Sequence, residues 1–207
     1  MDVLKTFDAD FAWWGKRTYV HGSHMTYQLL DAVKAWGLGN IDKMLAAFHS
    51  NLFEQGTYLL YEGKRVEQKF PVSYKLKIRD QDYFVGIKGN GKKVALRLED
   101  DEAQLIQYAE CDKDAKTAFI NKYQTDRYIN VIIALNKKLL NETISSEGYS
   151  GWLLAQLELN FDKFDIAHMN DLKIRLTKNI GRKMCMSTIE ANKIKIGEIF
   201  FNRKTLS

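Results

Sequence analysis

The strongest chemical signal in this 207-residue chain is the string Tyr19-Val20-His21-Gly22-Ser23-His24. Two of the chain's four histidines fall there, and an imidazole with an ordinary pKa of about 6.5 can take or give a proton near neutral pH. The spacing that follows predicts a helix over 24–36, with Met25, Leu29, Ala32, Val33 and Trp36 on one apolar stripe. Gly22-Ser23 reads as its N-cap, and Gly37 and Gly39 as its stop. The first N–H groups of a helix have no partner inside it and carry partial positive charge, so they can polarise a carbonyl or hold an oxyanion. Gly22 lets a ligand approach the backbone closely. His21 and His24 are therefore the candidate proton-transfer residues, and Gly22 and Ser23 the candidate binding residues. Just upstream, Trp13 and Trp14 in the run Phe11-Ala12-Trp13-Trp14 could line an apolar pocket. Gly22-Ser23-His24-Met25 is also the string left by a common tag-cleavage site. Here it is internal, with Thr18-Tyr19-Val20-His21 running straight into it, and is read as native sequence.

These residues need elements to position them. A second helix is predicted over 126–140, with Tyr128, Val131, Ile132, Leu135 and Leu139 on its stripe; Ile129, Ile133 and Leu140 widen the apolar face so far that the helix should be mostly buried. Asp126 and Asn130 at its start are the candidate partners for a histidine: Asp126 as a catalytic carboxylate paired with it across a domain interface, Asn130 as a binding amide. After each helix comes a similar strand start, Leu45-Ala46 with Asn51 in the first half and Leu154-Ala155 with Asn160 in the second. Alternation then marks strands at 74–78, 83–87, 94–98, 172–176, 183–190 and 192–201. Gly89-Asn90-Gly91 reads as a hairpin turn between two of them. Glu198 reads as an exposed residue of an edge strand, and His49 and His168 as structural histidines. The pattern is an α+β domain used twice, over 1–112 and 113–207, with a polar junction around Asp112-Lys113-Asp114-Ala115-Lys116.

A long buried helix followed by a strongly alternating antiparallel sheet, present twice over about 11–99 and 126–203, resembles the tandem hotdog fold. Tyr19-Val20-His21-Gly22 is similar to the apolar-apolar-His-Gly that opens the central helix of MaoC-like hydratases in that superfamily. The chain departs from the family further upstream, where the hydratase Asp-x-Asn-Pro-x-His segment is replaced by Asp8-Ala9-Asp10-Phe11 with no paired histidine. The Asp-x-x-Gly-His-x-Asn segment of one thioesterase group and the His-plus-proline pattern of the fatty-acid dehydratases are missing too. The resemblance implies two hotdog-like units, each a long central helix packed on an antiparallel sheet. It also implies a cofactor-free thioesterase or dehydratase/hydratase acting on acyl-CoA or acyl-carrier-protein substrates, as a monomer or homodimer. A non-catalytic protein that binds an acyl chain or another small ligand is the alternative, one the missing family carboxylates favour.

Composition narrows the remaining classes. Hydrophobic residues at 45% and charged residues at 28% describe a folded globular chain, and a single proline, Pro71, excludes a proline-rich hinge or polyproline ligand. The net charge of +5 suits an anionic partner, but no RRM-type aromatic-basic interleaving is present, so nucleic acid is not an expected partner. Cys111 and Cys185 lack zinc or redox spacing, so no metal is expected. The longest aliphatic run, 131–135, is far short of a membrane span, and no signal peptide is visible at Met1-Asp2-Val3-Leu4-Lys5, which places the expected location in the cytoplasm. Lys75, Lys77, Arg79, Lys173, Arg175, Lys193 and Lys195 alternate with apolar residues and read as outward-facing strand positions.

Overall fold

The computed structural model describes residues 2–63, 66–123, 125–165 and 169–206. His168 lies outside the described residues. The chain divides into two compact units, Met1–Asp100 and Asp101–Ser207. The division falls after Asp100 and not after Asp112, because Asp112-Lys113-Asp114-Ala115-Lys116 is a turn inside the second unit. There Ala115 N–H donates to the Asp112 carboxylate at 2.9 Å, and Lys116 takes a φ of 52°. Asp and Ala-Lys chemistry of this kind serves a tight hairpin as well as it serves a linker, so polarity alone misplaces the boundary.

The first unit holds β1 (Lys5–Asp8), β2 (Ala12–Trp14), α1 (Gly22–Ala35), β3 (Lys43–Phe48), β4 (Gly56–Glu62), β5 (Val72–Ile78), β6 (Gln81–Gly89) and β7 (Leu96–Leu98). Five of these strands form an antiparallel sheet in the order β1-β4-β6-β5-β3. Period-two alternation sorts β5: Val72, Tyr74, Leu76 and Ile78 are buried, while Lys75 and Lys77 are exposed. The turn from β5 to β6 is the two-residue pair Arg79-Asp80, both with positive φ, the geometry that matches strand twist in a tight hairpin. Gly89-Asn90-Gly91 does not make the hairpin its sequence suggests. Asn90 N–H bonds the Gln55 carbonyl at 3.0 Å, and the chain leaves the sheet to pair β7 in parallel with β2.

α1 buries the stripe Met25, Leu29, Ala32 and Val33, and Tyr58 of β4 donates its hydroxyl to the Met25 carbonyl at 2.6 Å. At the far end Trp36 Nε1 donates to the Thr6 carbonyl, and Gly37 at φ 71° closes the last turn with bonds back to Lys34 and from Leu38 to Val33. On the other face of the sheet Tyr61, Phe70 and Phe84 form a small aromatic cluster, and the Phe70 ring lies against Gly86.

The second unit holds α2 (Glu102–Leu105), β8 (Glu110–Asp112), β9 (Thr117–Ile120), α3 (Tyr128–Thr143), β10 (Leu153–Asn160), β11 (Leu172–Ile180), β12 (Met184–Ala191) and β13 (Ile194–Asn202). Its antiparallel sheet runs β10-β13-β12-β11-β9-β8. β13 is flanked on both sides, so Glu198 is not on an edge; it is half-buried and paired with Lys195 at 2.6 Å. α3 packs on β9 and β11 and is buried almost all round, as its wide apolar face requires. The unit is therefore α+β with a large antiparallel sheet, as is the first.

A Cβ added at Gly86 would fall 2.5 Å from Phe70 ring carbons. Gly86→Ala is expected to cost about 1–3 kcal/mol by overpacking, seen as a lower Tm, and the penalty should largely vanish in a Phe70→Ala background. An equal penalty in both backgrounds would show that the ring is not the cause.

Candidate functional site

Burial organises the start of α1. Gly22, Ser23 and Thr26 are buried on its first turn and a half, and His21, the N-cap residue, is only 6% exposed. Polar groups taken out of water need partners, and they find them locally. His21 Nδ1 and Ser23 Oγ lie 2.7 Å apart, and Thr26 Oγ1 donates to the Gly22 carbonyl at 2.8 Å. The helix thus begins at Gly22, two residues before the predicted start at 24, with His21 extended at the cap. By helix geometry the first amide N–H groups face away from the helix body, and Met25 N–H is the first to bond back, to the His21 carbonyl at 3.2 Å.

His24 stands apart from this knot. It is half-buried, its Nδ1 accepts the Ala12 amide N–H at 3.4 Å, and its ring meets the Phe11 ring edge-on at 6.0 Å. Accepting at Nδ1 places the proton of the neutral ring on Nε2. Burial lowers its pKa below the ordinary histidine value, with the Asp10 carboxylate pulling the other way. His24 is therefore a mainly neutral imidazole at pH 7 with an Nε2–H to offer.

The wall beside these histidines is built by β2. Phe11, Ala12 and Trp14 are buried and Trp13 is half-buried, and the Trp14 ring sits edge-on to His21 at 5.4 Å. Gln55 holds this wall in place: its Oε1 accepts the Phe11 N–H at 2.5 Å and its Nε2 donates to the Phe11 carbonyl at 2.9 Å. Val20 N–H bonds the Leu52 carbonyl at 2.9 Å and Trp13 bridges to Val20, so both ends of the segment are pinned. Gln55 carries no spacing signal in the sequence; only the fold brings its amide to Phe11. Within the first unit, then, Trp13, Trp14, His21, Gly22, Ser23 and His24 come together.

Asp126 and Asn130 belong to the second unit. Asp126 is exposed in the single turn of 3₁₀ helix over Thr125–Arg127, and Asn130 is 1% exposed in the first turn of α3. Both amide atoms of Asn130 lack a hydrogen-bond partner among the described residues, and so do those of Asn136, which sequence spacing did not single out. A buried amide left without a partner costs about 1–3 kcal/mol. The basic strand residues do not form a continuous positive face. Glu190 stands opposite both Lys173 and Lys195, and Lys195 bonds Glu198. Among the described residues no group of side chains could hold a metal ion, and no helix is long and apolar enough to cross a membrane.

The architecture is shared with solved structures of other proteins. An acyl-ACP thioesterase from Bacteroides thetaiotaomicron superposes with a TM-score of 0.50 at 9% identity, covering 97% of each chain. The tesB protein of Mycobacterium avium subspecies paratuberculosis gives 0.52 at 8% identity over 96% of this chain and 91% of its own. GphF dehydratase gives 0.50 at 9% identity over 96% and 92%. No family model and no curated protein matches the sequence. At such identities the likeness establishes the fold, and the fold is the hotdog fold.

Because the folded-state pKa of His24 lies below an unfolded value of about 6.5, the native state binds fewer protons there. The stability this residue contributes is complete above pH of about 6.5 and is lost as pH falls through the folded value. NMR titration of the His24 ring should give a midpoint below that of a free histidine, and His24→Asn should flatten the acid-side fall in Tm. A midpoint at or above the free value would contradict the assigned burial effect.

Proposed function

We propose that the chain processes acyl thioesters, as a thioesterase or a dehydratase/hydratase, on substrates carried by coenzyme A or an acyl carrier protein. The observation that carries this reading is His24: a mainly neutral imidazole on the first turn of a buried helix, beside an aromatic wall and next to first-turn amides that no side chain caps. That combination suits a thioester. The first amides of α1 take the carbonyl oxygen as charge develops on it, because oriented N–H groups in a dry setting need no reorganisation during reaction. His24 Nε2–H donates a hydrogen bond to the carbonyl oxygen or the leaving group, while the His21 ring takes a proton and returns it: from the water whose oxygen adds to the carbonyl carbon to the thiolate released as the C–S bond breaks in hydrolysis, or from Cα to the departing hydroxyl in dehydration. Phe11, Trp13 and Trp14 take the apolar acyl chain. His21, bonded to Ser23, also fixes the backbone that presents the amides.

Support also comes from the structural neighbours, which are named as an acyl-ACP thioesterase, a tesB protein and a dehydratase. In this reading each unit is a hotdog-like module with its own long helix, α1 or α3, and the two stand in tandem along the chain.

The test is a panel of acyl-CoA and acyl-carrier-protein substrates assayed for thiol release and, separately, for enoyl hydration. Wild type should turn over at least one class. His24→Ala should lower kcat/KM by about 10²–10⁴-fold with a lesser effect on KM. If a thioester raises the Tm and is never consumed, the chain binds acyl ligands without catalysis; if no thioester binds or reacts, the reading fails.

A further inference from the structure

One peptide group of the first unit is bonded at both edges by side chains. The carbonyl of Phe11 accepts Gln55 Nε2–H at 2.9 Å, and the N–H of the same peptide, that of Ala12, donates to His24 Nδ1 at 3.4 Å. A trans peptide is planar, with its C=O and N–H on opposite edges, so fixing one edge aims the other. Gln55 fixes a second point too, accepting the Phe11 N–H on Oε1 at 2.5 Å. A side-chain amide can make both bonds because it carries an acceptor and a donor side by side. Gln55 is itself held in place. It is 8% exposed, its N–H donates to the Lys92 carbonyl at 2.9 Å, and its carbonyl accepts the Asn90 N–H at 3.0 Å. The neighbouring Gly56 leaves room for the Phe11 ring: a Cβ there would fall 3.1 Å from Phe11 Cε2. Phe11 is thus gripped at its backbone by Gln55 and at its ring beside Gly56. The same segment has a further tie to α1, from Asp10 N–H to Gln28 Oε1 at 3.3 Å, and that bond lies at the surface.

We infer that Gln55 is a positioning residue for His24: by holding the Phe11–Ala12 peptide it keeps the Ala12 N–H on Nδ1, and so fixes the tautomer and the plane of the ring. A proton on Nδ1 would face the Ala12 proton, so the neutral ring carries its proton on Nε2. Gln55 also polarises the peptide by bonding its oxygen, which strengthens the N–H at the other edge as a donor. The effect on the ring follows from these bonds alone. Its consequence for turnover rests on the thioester reading, in which Nε2–H bonds the carbonyl oxygen or the leaving group. Gln55 touches no reacting atom there, and its influence passes through His24.

The test is proton–nitrogen correlation NMR of the His24 ring in its neutral form, with steady-state kinetics on the same proteins. Wild type should show one tautomer, with Nδ1 unprotonated and Nε2 protonated. Gln55→Glu keeps the acceptor for the Phe11 N–H and sets a carboxylate oxygen against the Phe11 carbonyl. It should give a mixture of tautomers and lower kcat about tenfold, with KM changed less than about twofold. Gln55→Met, of similar length and without charge, should do the same. Gln28→Ala cuts only the surface tie and should leave the tautomer and kcat as in wild type. A proton on Nδ1 in wild type, a single tautomer in the folded Gln55 variants, equal disturbance in Gln28→Ala, or loss of the fold in both Gln55 variants each overturns the positioning role. The ring spectra decide it even if no thioester is turned over. Mixed tautomers with unchanged kcat would support the hold on the ring and remove His24 from the reaction.

Discussion

A helix enclosed by protein must satisfy its polar ends without water, and in the first unit that constraint falls on α1. Its first turn carries Gly22, Ser23 and His24 in a place where Gly22 and Ser23 are buried. The result is a closed set of local bonds: Ser23 with His21, Thr26 with the Gly22 carbonyl, and Tyr58 with the Met25 carbonyl. Because side chains and carbonyls answer one another there, the amide N–H groups of the first turn stay oriented, and the helix dipole ends at a fixed point. Gln55 applies the same logic one layer out, using both ends of one amide to hold the Phe11 backbone. The aromatic wall and the helix start are thereby positioned by the same demand for internal hydrogen bonds.

That coupling also explains why the two histidines differ. His21 is almost fully enclosed, with its Nδ1 on Ser23, and acts on the shape of the helix start. His24 is half-buried, accepts one backbone N–H, and has its pKa lowered by burial. Residue type alone makes them equivalent candidates. Depth separates them, and depth is set by how Phe11 and Trp14, just upstream, and the sheet beneath pack against each ring, which residue type does not record.

What was legible in the sequence follows the same division between local and long-range causes. Both long helices could be read from their stripes, and the strands at 74–78 and 83–87 from strict alternation, because burial on one face writes a period directly into the residues. The α+β class and the hotdog resemblance rest on that order of elements. Gly89-Asn90-Gly91 departs from its local signal: Asn-Gly chemistry permits a hairpin, but a long-range bond from Asn90 to Gln55 accompanies a chain that goes on to pair with β2. The actual tight hairpin uses Arg79-Asp80, whose types give little hint of positive φ. Polarity at 112–116 suggested a linker where a hairpin turn stands, and Glu198 was placed on an edge because position in the sequence says little about position in a sheet. At the site, His21, Gly22, Ser23, His24, Trp13 and Trp14 were visible as a local string. Gln55 was not, since its role depends on partners that only the fold supplies, and neither was Asn136, whose burial only the fold sets.

The central claim is that the start of α1, with His24 beside it, receives a thioester carbonyl. The most direct measurement is a crystal structure of the chain with an acyl-pantetheine analogue in which a methylene replaces the thioester sulfur, leaving a ketone that cannot be cleaved. The account predicts the ketone oxygen within hydrogen-bond distance of the first α1 amides or of His24 Nε2, with the acyl chain against Phe11, Trp13 and Trp14. An analogue bound with its carbonyl away from α1, and His24 untouched, would contradict it.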